Sequence, residues 1–295
     1  MRYDAHERLV APARDSASLT KLLGGCVMTF LIFGMVGQGL ASMLWSLTPE
    51  DDHAALSRAL QHGTTPGAAL LTMYYFAAWI LALAVAVQAV HGRSLLRLLG
   101  PPRETLVQCA VTIAAVVAVQ AVVALIPNPP DLAATRNMAF GNWIMILPLA
   151  LIGLAIQVSA EELMFRGYMQ SQLAARFANP VIWLAVPSAI FAALHYAPAA
   201  YGASAWVVVI WAGLFGVAAA DLTARSGTLG PAIGLHLVNN VSAILLVAPK
   251  GNLDGLALYT YPFSLTNSAM VSAWMPVDIM LLLCSWLAAR LALRR

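Results

Sequence analysis

The chain has 295 residues, of which 61% are hydrophobic and only 10% charged, with a formal net charge of +3. A domain folded in water carries about 25% charged residues to cover its surface. With a mean hydropathy of +0.78, this composition excludes a water-soluble globule. The small positive excess forms no basic stripe with interleaved aromatics, so nothing in it points to nucleic acid.

In chain order, residues 1–21 mix Arg2, Arg8, Arg14 and Lys21 with Asp4, Glu7 and Asp15. They precede a long charge-free run, which predicts a polar cytoplasmic tail and a retained first span, not a cleaved signal. A helix needs about 20 apolar residues to cross the hydrocarbon core. Charge-free runs of that kind predict eight spans, at Leu22–Leu47, Gly67–Val90, Thr105–Ile126, Asn142–Ala160, Pro180–His195, Ser204–Ala220, Leu229–Ala248 and Met270–Ala289. The connections carry breakers: Pro49 to Asp52, Gly100 to Arg103, Pro127 to Pro130, and Lys250 to Asn252.

The expected fold is all-α, a polytopic membrane bundle of about eight transmembrane helices forming one structural domain. Residues 22–141 hold three spans almost without ionisable groups and are expected to be scaffold. Residues 142–248 hold spans four to seven, and residues 249–295 the last span and a basic C-terminus. With eight spans, all of the 16 Lys and Arg residues except Arg58, Arg136 and Lys250 fall on one side. Basic connections stay in the cytoplasm, so both termini are expected there. Cys26, Cys109 and Cys284 lie singly in apolar stretches and read as small buried hydrophobes.

Ionisable residues at membrane depth are costly and point to function. Here they concentrate in the second half, in three groups. In Ala160-Glu161-Glu162-Leu163-Met164-Phe165-Arg166, Glu162 and Arg166 are i,i+4 neighbours and can pair. Glu161 points about 100° away, which leaves its carboxylate for another partner and, once desolvated, suited to general-base work. Alternatively both glutamates merely begin a loop. In the second group, Phe191 and His195 share a helix face. A hairpin turning near Asn179 would bring His195 level with Glu161, provided that residues 167–177 are helical; a satisfied interfacial histidine is the bland alternative. In the third, His236 and Asn240 share a face after Pro231, as a polar pair or as interhelical glue. Together the groups supply a base for water, a proton donor for a leaving amine and donors for an oxyanion. No G-x-S-x-G, H-E-x-x-H or Walker loop is present for other hydrolytic chemistries.

These three groups, in this order, resemble the CPBP (CAAX-protease and bacteriocin-processing, also Abi) family of intramembrane proteases, whose motifs read E-E-x-x-x-R, F-x-x-x-H and H-x-x-x-N. The matches fall at Glu161, Glu162 and Arg166; at Phe191 and His195; and at His236 and Asn240. The resemblance covers residues 142–248. It implies that Glu161 and His195 activate water, that His236 and Asn240 stabilise the oxyanion, and that Glu162 and Arg166 support the site. It also implies membrane-bound or lipidated (CAAX-like) protein substrates and a site opening to the cytoplasm, in a bacterial inner membrane. The label metalloprotease is attached to many members; the expectation here is no cofactor, with Glu161, His195 and His236 as the set that zinc would use. By the predicted boundaries His195 and His236 lie at different depths, so their meeting requires a stagger of roughly 12 Å or a kink, for example at Pro187.

Two other classes share these residues. A proton-coupled transporter also buries glutamate and histidine, although its polar groups usually fall in both halves of a repeat. A non-catalytic scaffold or immunity protein would retain the motifs and bind a partner. Asp221 is expected to face the cytoplasm beside Arg225, and Asp278 to find a partner in the bundle; neither is assigned to catalysis.

Overall fold

The structure is a computed structural model and describes residues 3–126 and 132–294. The predicted breaker at Pro127–Pro130 lies outside the described residues. The main helices are α1 (Leu19–Leu47), α2 (His53–His62), α3 (Pro66–His91), α4 (Pro102–Val123), α5 (Phe140–Glu162), α6 (Pro180–Leu194), α7 (Ala205–Ser226), α8 (Gly230–Asn240) and α9 (Ser268–Ala292). Among the described residues six helical stretches are long and apolar enough to cross a membrane, and two shorter apolar ones, Pro180–Leu194 and Gly230–Leu246, accompany them. All eight predicted spans therefore exist as apolar helices in an all-α membrane bundle.

Their ends follow from local chemistry. Ser18, Thr65, Asn179 and Asn267 each turn a side-chain oxygen onto a free amide at the start of α1, α3, α6 and α9. Glycines in the left-handed region close α3 at Gly92 and α7 at Gly227.

Several helix ends differ from expectation, the sixth span among them, which runs on to Ser226. The fourth span does not stop at Ala160. From Phe140 the helix runs unbroken to Arg176, 37 residues in all, by way of a π-helical segment at Leu163–Gln170 and a short α-helical end at Ser171–Arg176. Apolar counting ends a span at its first charges, but here those charges find partners inside the bundle. The seventh span ends early as well. After α8 a π-helical segment covers Val241–Leu246, and Val247–Pro249 is a strand. This strand joins a three-stranded sheet made of β1 (Thr135–Arg136), β2 (Val247–Pro249) and β3 (Tyr259–Tyr261), in the order β1-β3-β2. β3 is antiparallel to β1 and parallel to β2.

Lipid tails give apolar helices little reason to associate, so close packing of small residues holds such bundles. Gly230 and Gly234, one turn apart, seat α8 directly on the backbone of α4. An added Cβ would stand 2.1 Å from the Thr105 carbonyl oxygen and 2.8 Å from that of Cys109. At Gly216, a Cβ would come within 2.8 Å of the Ser188 Cβ, so α6 and α7 also pack closely. These contacts fix the helices that carry Phe191 and His236.

The segment expected to be a polar tail is folded. Short helical turns run from Asp4 to Ser16, burying His6, Leu9, Val10 and Ala13. Tyr3 donates its hydroxyl proton to Asp221 at 2.8 Å, and the His6 ring lies 4.8 Å from that of Trp183 on α6. Burial pulls the His6 imidazole down to about 4. Asp221 consequently does not face outward. It is buried and accepts from Arg225 at 2.9 and 2.8 Å and from the Trp286 indole at 3.0 Å, so it ties the N-terminal segment, α7 and α9 together.

Candidate active site

Glu161 and Glu162 end α5, and both are buried. The predicted ion pair is present: Arg166 donates from Nη1 to Glu162 Oε1 at 2.8 Å, with both side chains essentially inaccessible. The same carboxylate oxygen lies 2.7 Å from His236 Nδ1. An ionised carboxylate can only accept, so Nδ1 carries the proton and Glu162 fixes the orientation of the ring. The other ring nitrogen, Nε2, faces Glu161 Oε2 at 3.6 Å. His236 therefore bridges the two glutamates.

Arg166 has no second hydrogen-bond partner for its Nε and Nη2. Aromatic faces surround it instead: the guanidinium carbon stands 4.7 Å from the Phe191 ring centroid and 6.0 Å from those of Phe165 and Phe215. A desolvated cation over a ring is stabilised by about 2 kcal/mol. Phe215 also sets its ring 4.7 Å from that of His236. Sequence reasoning missed this residue, which no motif contains.

His195 follows the last turn of α6. Its Nδ1 is 2.8 Å from the backbone carbonyl oxygen of Phe191. A carbonyl also only accepts, so Nδ1 holds the proton and Nε2 keeps its lone pair. The ring packs 4.5 Å from Phe191, which also contacts His236 at 6.2 Å. Phe191 is thus the spacer between the two imidazoles. The hairpin condition is met, since the chain is helical through Arg176 and Asn179 caps the next helix. Phe191, one turn before His195, brings α6 into contact with His236 on α8. No hydrogen bond or ion pair joins His195 to Glu161 among the described residues; His195 stands one aromatic ring from the Glu161–His236 contact.

Asn240 reaches Glu161 through a residue that the motifs omit. Gln157, one turn before Glu161, donates from Nε2 to Glu161 Oε1 at 3.0 Å and accepts from Asn240 Nδ2 at 3.3 Å. Asn239 in turn donates to Asn240 Oδ1 at 3.3 Å. The amides form a chain with one direction, Asn239 to Asn240 to Gln157, ending on the Glu161 carboxylate. A signal for Gln157 was available: it is an amide on the same helical stripe as Glu161, inside an apolar run.

Behind the site, the π-helical segment is anchored by Tyr168, whose hydroxyl lies 2.8 Å from His91 Nε2 and 3.2 Å from the Leu22 carbonyl oxygen. Residues of α1 and α3 thereby hold the π-helical continuation of α5. As for a metal, Glu161, His195 and His236 do not converge as three ligands, and no other group of three or more His, Cys, Asp or Glu side chains does so among the described residues. His236, with Nδ1 held by Glu162, keeps Nε2 as its one possible ligand atom.

Residues 141–242 match the family model described as type II CAAX prenyl endopeptidase Rce1-like. Over 130 residues the chain is 28% identical to a Bacillus subtilis (strain 168) protein named "Uncharacterized protein YyaK". The alignment covers 43% of this chain and 42% of that protein, so the chain spans less than half the length of this relative. No solved structure matches. The family match includes every motif residue named above and Gln157, and it omits α1 to α4 and α9. Over residues 141–242 the chain is thus similar to the Rce1-like family, the CPBP or Abi family that the three motifs resemble.

Proposed function

We propose that this chain is an intramembrane endopeptidase that hydrolyses a peptide bond in membrane-associated or lipidated, CAAX-like proteins or peptides. The observation that carries the reading is the buried contact of Glu161 with His236, itself oriented by the Glu162–Arg166 pair. Water held between the Glu161 carboxylate and the His195 Nε2 lone pair attacks the scissile carbonyl carbon, and Glu161 takes its proton. His236, with a second proton on Nε2 between the two carboxylates, and an Asn240 amide hydrogen donate to the developing oxyanion. Glu161 then returns the proton to the leaving nitrogen as the C–N bond breaks, giving a carboxylate and a free amine. No step is routed through a metal. The distribution of Lys and Arg supports a site opening toward the cytoplasmic face of a bacterial inner membrane.

The test uses the purified full chain in lipid nanodiscs with a farnesylated C-terminal peptide and its unlipidated counterpart. Glu161→Gln and His195→Ala should each lower kcat by about 10²–10⁴-fold, with the lipidated peptide preferred by the parent. Full cleavage by either variant would remove the catalytic assignment.

A further inference from the structure

A cavity lies where α4, α7, α8 and α9 meet. It offers about 20 Å³ of room for water centres, and its polar lining is Gln120, Trp211, Asn239, Asp278 and Ser285. None of these residues belongs to the family motifs. In a bundle whose neighbouring surfaces are apolar, five polar side chains from four helices turned on one small space call for an occupant.

Three observations define its chemistry. The Trp211 indole N–H is buried without a hydrogen-bond partner, and this residue lines the cavity. A donor there requires an acceptor. Asp278 sits near the middle of α9 and takes a side-chain hydrogen bond from Trp274, which leaves further lone pairs of its carboxylate to accept. Asn239 uses its Nδ2 on Asn240, so its carbonyl oxygen is the group left to accept. A molecule that accepts from Trp211 and donates to both Asp278 and Asn239 meets all three demands. Water does this, and it needs a polar cavity of at least about 10–15 Å³ by the same measure. A metal cation fits worse, because the indole N–H would point its positive end at it and Gln120 Oε1 already accepts from the Ser242 hydroxyl.

We infer that this cavity is an internal hydration site, holding water hydrogen-bonded to Trp211, Asn239 and Asp278 within the bundle. Its placement gives it a purpose. Asn239 begins the directional amide chain that ends on Glu161, so water held here keeps that first amide turned the right way. The hydration itself does not depend on the protease reading; only its link to Glu161 does.

Hydroxyl radicals generated by X-ray radiolysis oxidise side chains beside bound water, which allows a test on the unmodified full chain in nanodiscs. Trp79 is the internal reference, since its indole N–H is also buried and unpartnered but its neighbours are Phe30, Phe33 and Phe76. Trp211 should be oxidised several-fold faster than Trp79. Asn239→Leu, which fills the cavity, should bring it to the Trp79 rate, and Ser285→Val serves the same purpose should the first variant not fold. Equal rates in the parent, or an undiminished Trp211 rate in a folded filled variant, would overturn the inference. A Trp211 rate that falls when sodium replaces choline in the buffer would assign the cavity to a cation and overturn it too. Cleavage by the parent is assayed in parallel, so a failed protease reading remains distinguishable from a dry cavity.

Discussion

Two buried arginine–carboxylate pairs with the same i,i+4 spacing sit in different parts of this molecule. Glu162–Arg166 closes at 2.8 Å beside the site, and Asp221–Arg225 closes at 2.8 Å where α7 meets the N-terminal segment. What separates them is the third partner. The first pair grips an imidazole whose second nitrogen faces Glu161; the second accepts from a phenol of the N-terminal segment and an indole of α9. Spacing on a helix makes the pair, and the residue brought to it from elsewhere decides whether the pair does chemistry or only ties elements together.

This contrast can be broken. Glu162→Ala or Arg166→Ala leaves one buried charge alone, which costs about 3–5 kcal/mol, and releases His236. Thermal unfolding in detergent should show the loss, and the fraction that remains folded should not cleave peptide. Asp221→Ala should cost less, about 1–3 kcal/mol, because its site is slightly more open, and should leave turnover per folded molecule unchanged. Turnover lost in Asp221→Ala without a fall in stability would mean that the two pairs share one role.

The contrast can also be sharpened. Gln157→Met keeps the volume at that position but removes both hydrogen bonds, one of them to a carboxylate, a loss of about 1.5–3 kcal/mol. If Gln157 positions Glu161 and Asn240, kcat should fall about tenfold or more with KM unchanged. A change confined to KM would make it a substrate contact instead. The smallest effect expected is one of pH. His6 is neutral when docked, with its imidazole down at about 4, but charges near 6.5 once released. The unfolded segment then binds more protons than the docked one. Docking is therefore weakened as pH falls through this window, by about 1 kcal/mol over the first unit below 6.5. Limited proteolysis near the N-terminus should accelerate accordingly, and a rate indifferent to pH would contradict the packing of His6 on Trp183.

Much of the site was legible because its contacts are local. Glu162 with Arg166, Phe191 with His195 and His236 with Asn240 each lie one helical turn apart, and periodicity exposes that. The partner of each group across the bundle was not. His236 was expected to serve the oxyanion beside Asn240; that its Nδ1 belongs to Glu162, 74 residues away, follows only from how α8 lies against α5. The docking of Tyr3 on Asp221 spans 218 residues and had no local signature. Helix existence was readable from apolar runs, while helix ends failed wherever a polar residue was satisfied internally, as at Glu161 and Arg166.

The π-helical stretch at Leu163–Gln170 has a consequence for how this helix tolerates insertions and deletions. Each residue of an α-helix advances the side chains by about 100°, whereas the wider i→i+5 turn advances them less and takes up one residue more over the same rotation. Deleting one residue here would let the stretch relax to ordinary α-helix, with Glu161 before it and Ser171 beyond it still on their bearings. The same deletion within Phe140–Glu162 would swing everything beyond it by about 100°.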